Sequence, residues 1–311
     1  MKTPQNPLRS KGFTLMELMV AMAITTIIIT ILVTITSLSL DTWNRSRTET
    51  RAARQAKTMV DTMAHDMESL VARKGNNIDW LFVKAADAMG PENARNTNAA
   101  ELYFFTAASD RYDGLLGDDK ADKGGDVSSV AYKLAYLNPI GAKQDDALST
   151  FVLYRKLVDP DDTYQRLLGR EDLEQTWAAY EKTIEQSKNF VCENIYQFSL
   201  TFNVAVDVTT ENITRTQVVP VTISNSTGTS EIKELRINGI GLLAPDFGGS
   251  RDITAEEFQA GKIISVEISL SVLSDTGLEQ MRRRKLEGDA KAEFLAKNSF
   301  QYTKLVQLPK L

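Results

Sequence analysis

The chain opens on an apolar run and only later acquires the mixed pattern of a soluble domain. From Phe13 to Leu40 the one charged residue in twenty-eight is Glu17. At the helical rise such a segment spans roughly 42 Å, more than the ~30 Å hydrocarbon core of a bilayer. Neither glycine nor proline occurs between Phe13 and Lys74, so nothing in the backbone chemistry interrupts a helix there. From Ala52 the pattern turns amphipathic. Ala52, Ala56, Met59, Val60, Met63, Met67, Leu70 and Val71 form one apolar stripe at helical spacing, while Arg54, Asp61, His65 and Glu68 take other faces. Lys74-Gly75-Asn76-Asn77 reads as the helix's cap and exit. The expectation is one unbroken helix, membrane-spanning over residues 13–40 and amphipathic over 41–74, whose methionine stripe docks onto a sheet in a head formed by 75–311.

Past Asn77 the period shortens to that of strands. Ala100–Thr106 contains the strand-forming cluster Leu102-Tyr103-Phe104-Phe105. Val130–Leu137 and Phe151–Val158 alternate in part and read as a hairpin with a long connection. Asp159-Pro160-Asp161-Asp162 closes the second as a turn. Thr163–Lys188 reads as helical, with Leu167, Leu168, Leu173, Trp177 and Ile184 as buried positions. Strand pattern returns over Phe190–Val208, where Ile195 is followed by alternating Phe198, Leu200, Phe202, Val204 and Val206. Gln217–Ser224 and Glu234–Leu243 extend the sheet. Ile263–Leu273 puts Ile264, Val266, Ile268, Leu270 and Val272 on one face. Thr276–Asn298 is a charged helical arm and Phe300–Leu308 a closing strand. The fold class is therefore α+β, a long N-terminal helix on an antiparallel β-sheet head, with segments 107–128 and 162–188 standing out as insertions.

Charge and cysteine usage narrow the function. The formal net charge is −5, and without the cations Lys2, Arg9 and Lys11 of residues 1–12 it becomes −8, which offers no electrostatic footprint for nucleic acid. One cysteine, Cys192, and one histidine, His65, exclude an intramolecular disulfide and a His/Cys zinc cluster. His65 reads as a solvated helix residue and Cys192 as a small buried thiol, so no Cys–His dyad is expected. With no phosphate loop and no nucleophile elbow, an enzyme is not expected, nor is a cofactor.

The first seventeen residues are unlike an ordinary secretory signal. Such a signal carries its small-residue cleavage site after a short apolar core. Here the suited small residue, Gly12, lies before the apolar run, so cleavage there leaves the helix on the mature chain; an uncleaved signal anchor is the alternative. Residues 41–60 hold five basic and two acidic side chains, so both flanks are positive and the charge bias leaves topology open. A carboxylate in hydrocarbon costs about 2.5–3.5 kcal/mol on insertion scales and needs a partner. For Glu17 the amine of Phe13 on a neighbouring subunit, freed by cleavage, can be that partner, and such a pair would set axial register; the alternative is a carboxylate snorkelling to the interface.

Lys11-Gly12-Phe13-Thr14-Leu15-Met16-Glu17-Leu18 resembles the cleavage and methylation motif of type IV pilins and pseudopilins. The resemblance implies cleavage after Gly12 by a prepilin peptidase, N-methylation of Phe13, insertion in the inner membrane with the N-terminus cytoplasmic and the head periplasmic, and extraction by a membrane assembly platform into a filament of pilins or pseudopilins. Further along, Val130-Ala131-Tyr132-Lys133-Leu134, Leu153-Tyr154-Arg155 and Phe190-Val191-Cys192-Glu193-Asn194-Ile195 are similar to the J-type minor pseudopilins of type II secretion. Thr34 stands where major pilins and pseudopilins commonly carry proline, and a single cysteine cannot close their C-terminal loop, both of which imply a minor component. Glu17 argues against a K-type tip subunit. A membrane-anchored binding module, an adhesin or DNA-uptake minor pilin, is the alternative with the same N-terminus.

Two smaller features complete the reading. Asp118, Asp119, Asp122 and Asp126 lie in an acidic stretch that is a weak calcium candidate; the spacing is not that of an EF-hand, and a solvated loop is expected instead. Asn212-Ile213-Thr214 and Asn225-Ser226-Thr227 match glycosylation sequons but are read as turn residues.

Overall fold

A computed structural model describes residues 14–107, 126–139, 148–210, 213–226, 230–247 and 253–309. The chain divides into two compact units between Thr50 and Arg51. The N-terminal unit is the first part of helix α1, Leu15–Glu68. Its large apolar side chains are exposed, from Val20 at 49% to Leu15 at 78%. The hydroxyls of Thr25, Thr26, Thr30, Thr34, Thr36 and Thr42 each donate to the carbonyl four residues earlier, so they present methyl groups outward without an unpaired polar atom.

The second unit is built on the rest of α1. Ala52, Ala56, Met59, Val60, Met63, Ala64 and Met67 are buried in one core with the inner faces of two sheets. The strands in chain order are β1 (Asp79–Ala85), β2 (Ala100–Thr106), β3 (Ser128–Leu137), β4 (Thr150–Val158), β5 (Phe190–Glu193), β6 (Ile195–Thr210), β7 (Ile213–Ile223), β8 (Glu231–Ile232), β9 (Glu234–Asn238), β10 (Leu242–Leu243), β11 (Lys262–Leu273) and β12 (Ser299–Gln307). Seven form a sheet in the order β10-β9-β1-β2-β3-β4-β5, and five a second in the order β12-β11-β6-β7-β8. Among the described residues the pairings between these strands are antiparallel except β7 with β8.

The expected helix continues to Lys74, but α1 stops at Glu68. The competing element is β2: Leu70 bridges Thr106, and the Val71 N–H donates to the Phe105 carbonyl at 2.9 Å. Leu70 stays in the main core, whereas Val71 turns to the opposite side of the large sheet. Gly75, expected to cap the helix, instead takes φ +82° in the connection to β1.

β1 escapes a periodicity argument because both of its faces are covered. Leu81 and Val83 join the main core, Trp80 and Phe82 a second cluster behind the sheet, and no polar alternation remains. That second face is roofed by the segment expected to be a helix over 163–188. It is a chain of short pieces: α2 (Pro160–Asp162), a π turn (Thr163–Leu167), α3 (Leu173–Ala178), α4 (Glu181–Ile184) and a 3₁₀ turn (Ser187–Asn189). Leu167, Leu173, Trp177 and Ile184 are buried there as expected, with Leu168 packed at the margin.

Two strand readings also change. The run Phe190–Val208 is broken at Asn194, which takes φ +64°, and the break sends β5 to the seven-stranded sheet and β6 to the other. On β11 a register shift between Ile263 and Ser265 turns Ile263 inward and leaves Ile264 43% exposed; Val266, Ile268, Leu270 and Val272 face the core. The charged arm after β11 is two helices, α6 (Asp275–Arg283) and α7 (Gly288–Asn298), preceded in the chain by α5 (Ala255–Gln259).

Candidate assembly site

At the start of α1, Thr14 and Glu17 close a reciprocal cap. The Thr14 N–H and hydroxyl both donate to Glu17 Oε2 at 2.9 Å, and the Glu17 N–H donates back to Thr14 Oγ1 at 3.3 Å. Glu17 therefore has a partner inside its own chain as well as the intermolecular one expected of it. The Ser/Thr-x-x-Glu spacing is the signal that reveals this. Gly12 and Phe13 lie outside the described residues. Among the described residues α1 is the one helix long and apolar enough to cross a membrane. At Thr34 the helix runs on, its hydroxyl bonded to the Thr30 carbonyl at 2.8 Å.

Within the head, α1 is fixed to the sheets by polar contacts the sequence reading missed. Asp66 sits in the apolar stripe, three residues after Met63 and next to Met67, and is fully buried. Arg155 of β4 forks across it, Nε at 2.6 Å and Nη2 at 2.7 Å, and the Tyr132 hydroxyl of β3 donates at 2.6 Å. Burial, with the Asp66 charge beside it, holds the Tyr132 phenol well above its usual range. A lone acid at a stripe position was the available signal. Exposed pairs add to this contact: Arg51 with Glu193 of β5 and with Asp275 of α6 at 3.5 Å, and Asp61 with Lys304 of β12 at 2.7 Å.

The roof over the large sheet is clamped by Arg236 of β9. It lies 4.3 Å over the Phe82 ring and reaches Asp79 at 2.9 Å, Glu174 at 3.2 Å and Asp172 at 3.3 Å. Burial raises the Asp79 carboxyl even though the Leu173 N–H and Arg236 pull the other way. These contacts tie two layers together.

The remaining candidates are quickly placed. Asp118, Asp119 and Asp122 lie outside the described residues; Asp126 is exposed, and among the described residues no group of three or more metal-type side chains gathers. His65 is exposed on α1, while Cys192 is buried on β5. Burial pushes the Cys192 thiol up to about 12, well above neutral pH. Ile213 and Thr214 of the first sequon lie in β7 rather than in a turn, and Asn225 of the second donates to the Ala86 carbonyl.

A bare apolar helix, capped at its start and long enough to cross a membrane, runs on into the stretch that packs in a two-sheet head, which defines an α+β protein. Residues 7–33 match the family described as the prokaryotic N-terminal methylation motif. Over that segment the chain is similar to type IV pilins and pseudopilins, and the motif supports a substrate of the prepilin-peptidase kind. No curated protein and no solved structure matches the chain.

Proposed function

We propose that the protein is a minor subunit of a type II secretion pseudopilus or a type IV pilus, most like a J-type pseudopilin, and that its work is assembly rather than catalysis. In this reading it is cut after Gly12 and methylated at Phe13. It waits in the inner membrane with the head in the periplasm and is drawn by the assembly platform into a filament. Residues 13–40 bundle with other subunits, Glu17 sets register against a neighbouring Phe13 amine, and the head selects partners. The observation that carries this is the match over residues 7–33 together with the exposed apolar side chains of α1. A buried helix of a soluble protein would hide those side chains; a polymerisation helix keeps them for lipid and then for neighbours.

The test is the mass of the mature N-terminus in cells with and without a prepilin peptidase. The expected species begins with N-methylated Phe13 when the peptidase is present and with Met1 or Lys2 when it is absent. An uncut N-terminus in both would leave a plain signal anchor and overturn the assembly reading.

A further inference from the structure

β7 has one side in the sheet and the other largely unused. It pairs with β6 without a break from Thr210↔Ile213 to Thr201↔Thr222. Its opposite side meets β8 only at Thr222 and Ile223. The Thr222 N–H donates to the Ser230 carbonyl and the Ser224 N–H to Ile232, so even-numbered residues turn their peptide groups away from β6. Alternation along the unbroken strand then points the N–H and C=O of Thr214, Thr216 and Val218 out of the sheet. Pro220, the next outward position, has no N–H to offer and ends the row, as proline does on sheet edges. Ile213 to Val218 are all exposed, Ile213 at 57% and Val218 at 54%, and among the described residues no strand covers this stretch.

An uncovered edge of this kind, rich in β-branched residues and without lysine, is a template for another strand. The side chains favour a second copy of the same edge. Antiparallel pairing about a two-fold axis at Thr216 brings all three outward residues into hydrogen-bonded pairs. Thr216 meets Thr216 of the other copy, and Thr214 meets Val218. On the other face Arg215 meets Gln217 and Ile213 meets Val219, so no like charges oppose, and the Thr216–Thr216, Thr214–Val218 and Ile213–Val219 pairs are all β-branched. A two-fold centre one residue either way pairs fewer of the outward groups or brings Pro220 into the row. We propose that two copies of the protein join head to head through the β7 edges, centred on Thr216, to give one continuous sheet across the pair. The contact is isologous and closes at two copies.

Cysteine cross-linking of the full-length chain in its membrane tests this, because the one native thiol is buried and silent. A hydrogen-bonded antiparallel pair sets the two Cα atoms of residue 216 about 5.5 Å apart, within disulfide reach. The two Val218 positions lie about 13 Å apart in the same pairing, beyond it. Thr216→Cys is therefore expected to give a disulfide-linked dimer under mild oxidation, roughly tenfold more than Val218→Cys alone. Mixing Thr214→Cys with Val218→Cys chains should link the two to each other. Thr209→Cys, exposed on β6 one strand inward, should stay monomeric. Folding of each variant is checked by labelling: one thiol per chain reacts and Cys192 does not. A folded Thr216→Cys protein that forms no dimer overturns the proposal, as does dimer yield that is the same at 209, 216 and 218.

Discussion

Asp66 sits where an apolar residue belongs by period, and its partners show what it does. A buried ion pair is a poor source of net stability, because desolvating both charges offsets their attraction, but a broken one leaves a charge stranded in the core. Arg155 and Tyr132 come from adjacent strands, so the carboxylate can be satisfied at one position of α1 along the sheet. Asp66→Ala is expected to lower unfolding free energy by about 3–5 kcal/mol. The pair Asp66→Leu with Arg155→Met is expected to recover most of that loss, since apolar residues of similar volume replace such pairs at little cost. Denaturant unfolding read by fluorescence of the buried Trp80 and Trp177 measures both. A loss under about 1 kcal/mol for Asp66→Ala would show that the guanidinium finds water and that the contact does not fix the helix.

At the scale of elements, the start of α1 sets an observed cap beside the register role proposed for the same carboxylate. The cap needs only a hydrogen-bond acceptor at Glu17, and glutamine serves a capping box as well as glutamate does. Register against a neighbouring amine needs the charge. Glu17→Gln should therefore leave α1 and cleavage at Gly12 intact while sharply lowering incorporation into filaments; Glu17→Ala should lose incorporation to a similar degree. Filament yield of cleaved subunit, compared between the two variants, separates the roles. Wild-type incorporation by Glu17→Gln would reduce Glu17 to a cap. Elements with a single buried face were legible from the chain: β6, most of β11 and α1 from Ala52 follow their apolar period closely, and β2, covered on both faces, was found by its aromatic cluster. β1 was not, because a strand covered on both faces has no polar beat. The roof over residues 163–188 was misread because its buried leucines and Trp177 are spaced loosely enough to suit a helix, while Pro160, Gly169 at φ +83° and the π turn break it up. The point where α1 stops was hidden too, since the hydrogen bonds that end it come from β2, almost forty residues on. Of the assembly site, the motif and Glu17 were visible in advance; Asp66 was visible only as a misplaced acid.

On the scale of the whole chain, α1 is shared between two units that ask different things of it. Up to Thr50 its large apolar side chains are bare; from Ala52 its apolar stripe is core. Met59, Val60, Met63 and Met67 are each at most 5% exposed, and burying such side chains stabilises by about 1.5–3 kcal/mol apiece. Together these four contribute on the order of the whole stability of a domain, about 5–15 kcal/mol. The large apolar side chains before Thr50 are themselves exposed. A chain beginning at Arg51 is therefore expected to be soluble and to unfold cooperatively, with native-like far-ultraviolet circular dichroism and a protease-resistant core. A chain beginning at Ser69 lacks the stripe and Asp66, exposes the inner faces of both sheets, and strands Arg155; it is expected to aggregate or to remain partly folded. Matched unfolding curves and limited proteolysis of the two chains decide the matter. A cooperative, soluble protein from residue 69 onward would mean that the sheets close on each other without the helix. Failure of the Arg51 chain to fold would mean that the head draws on the anchor.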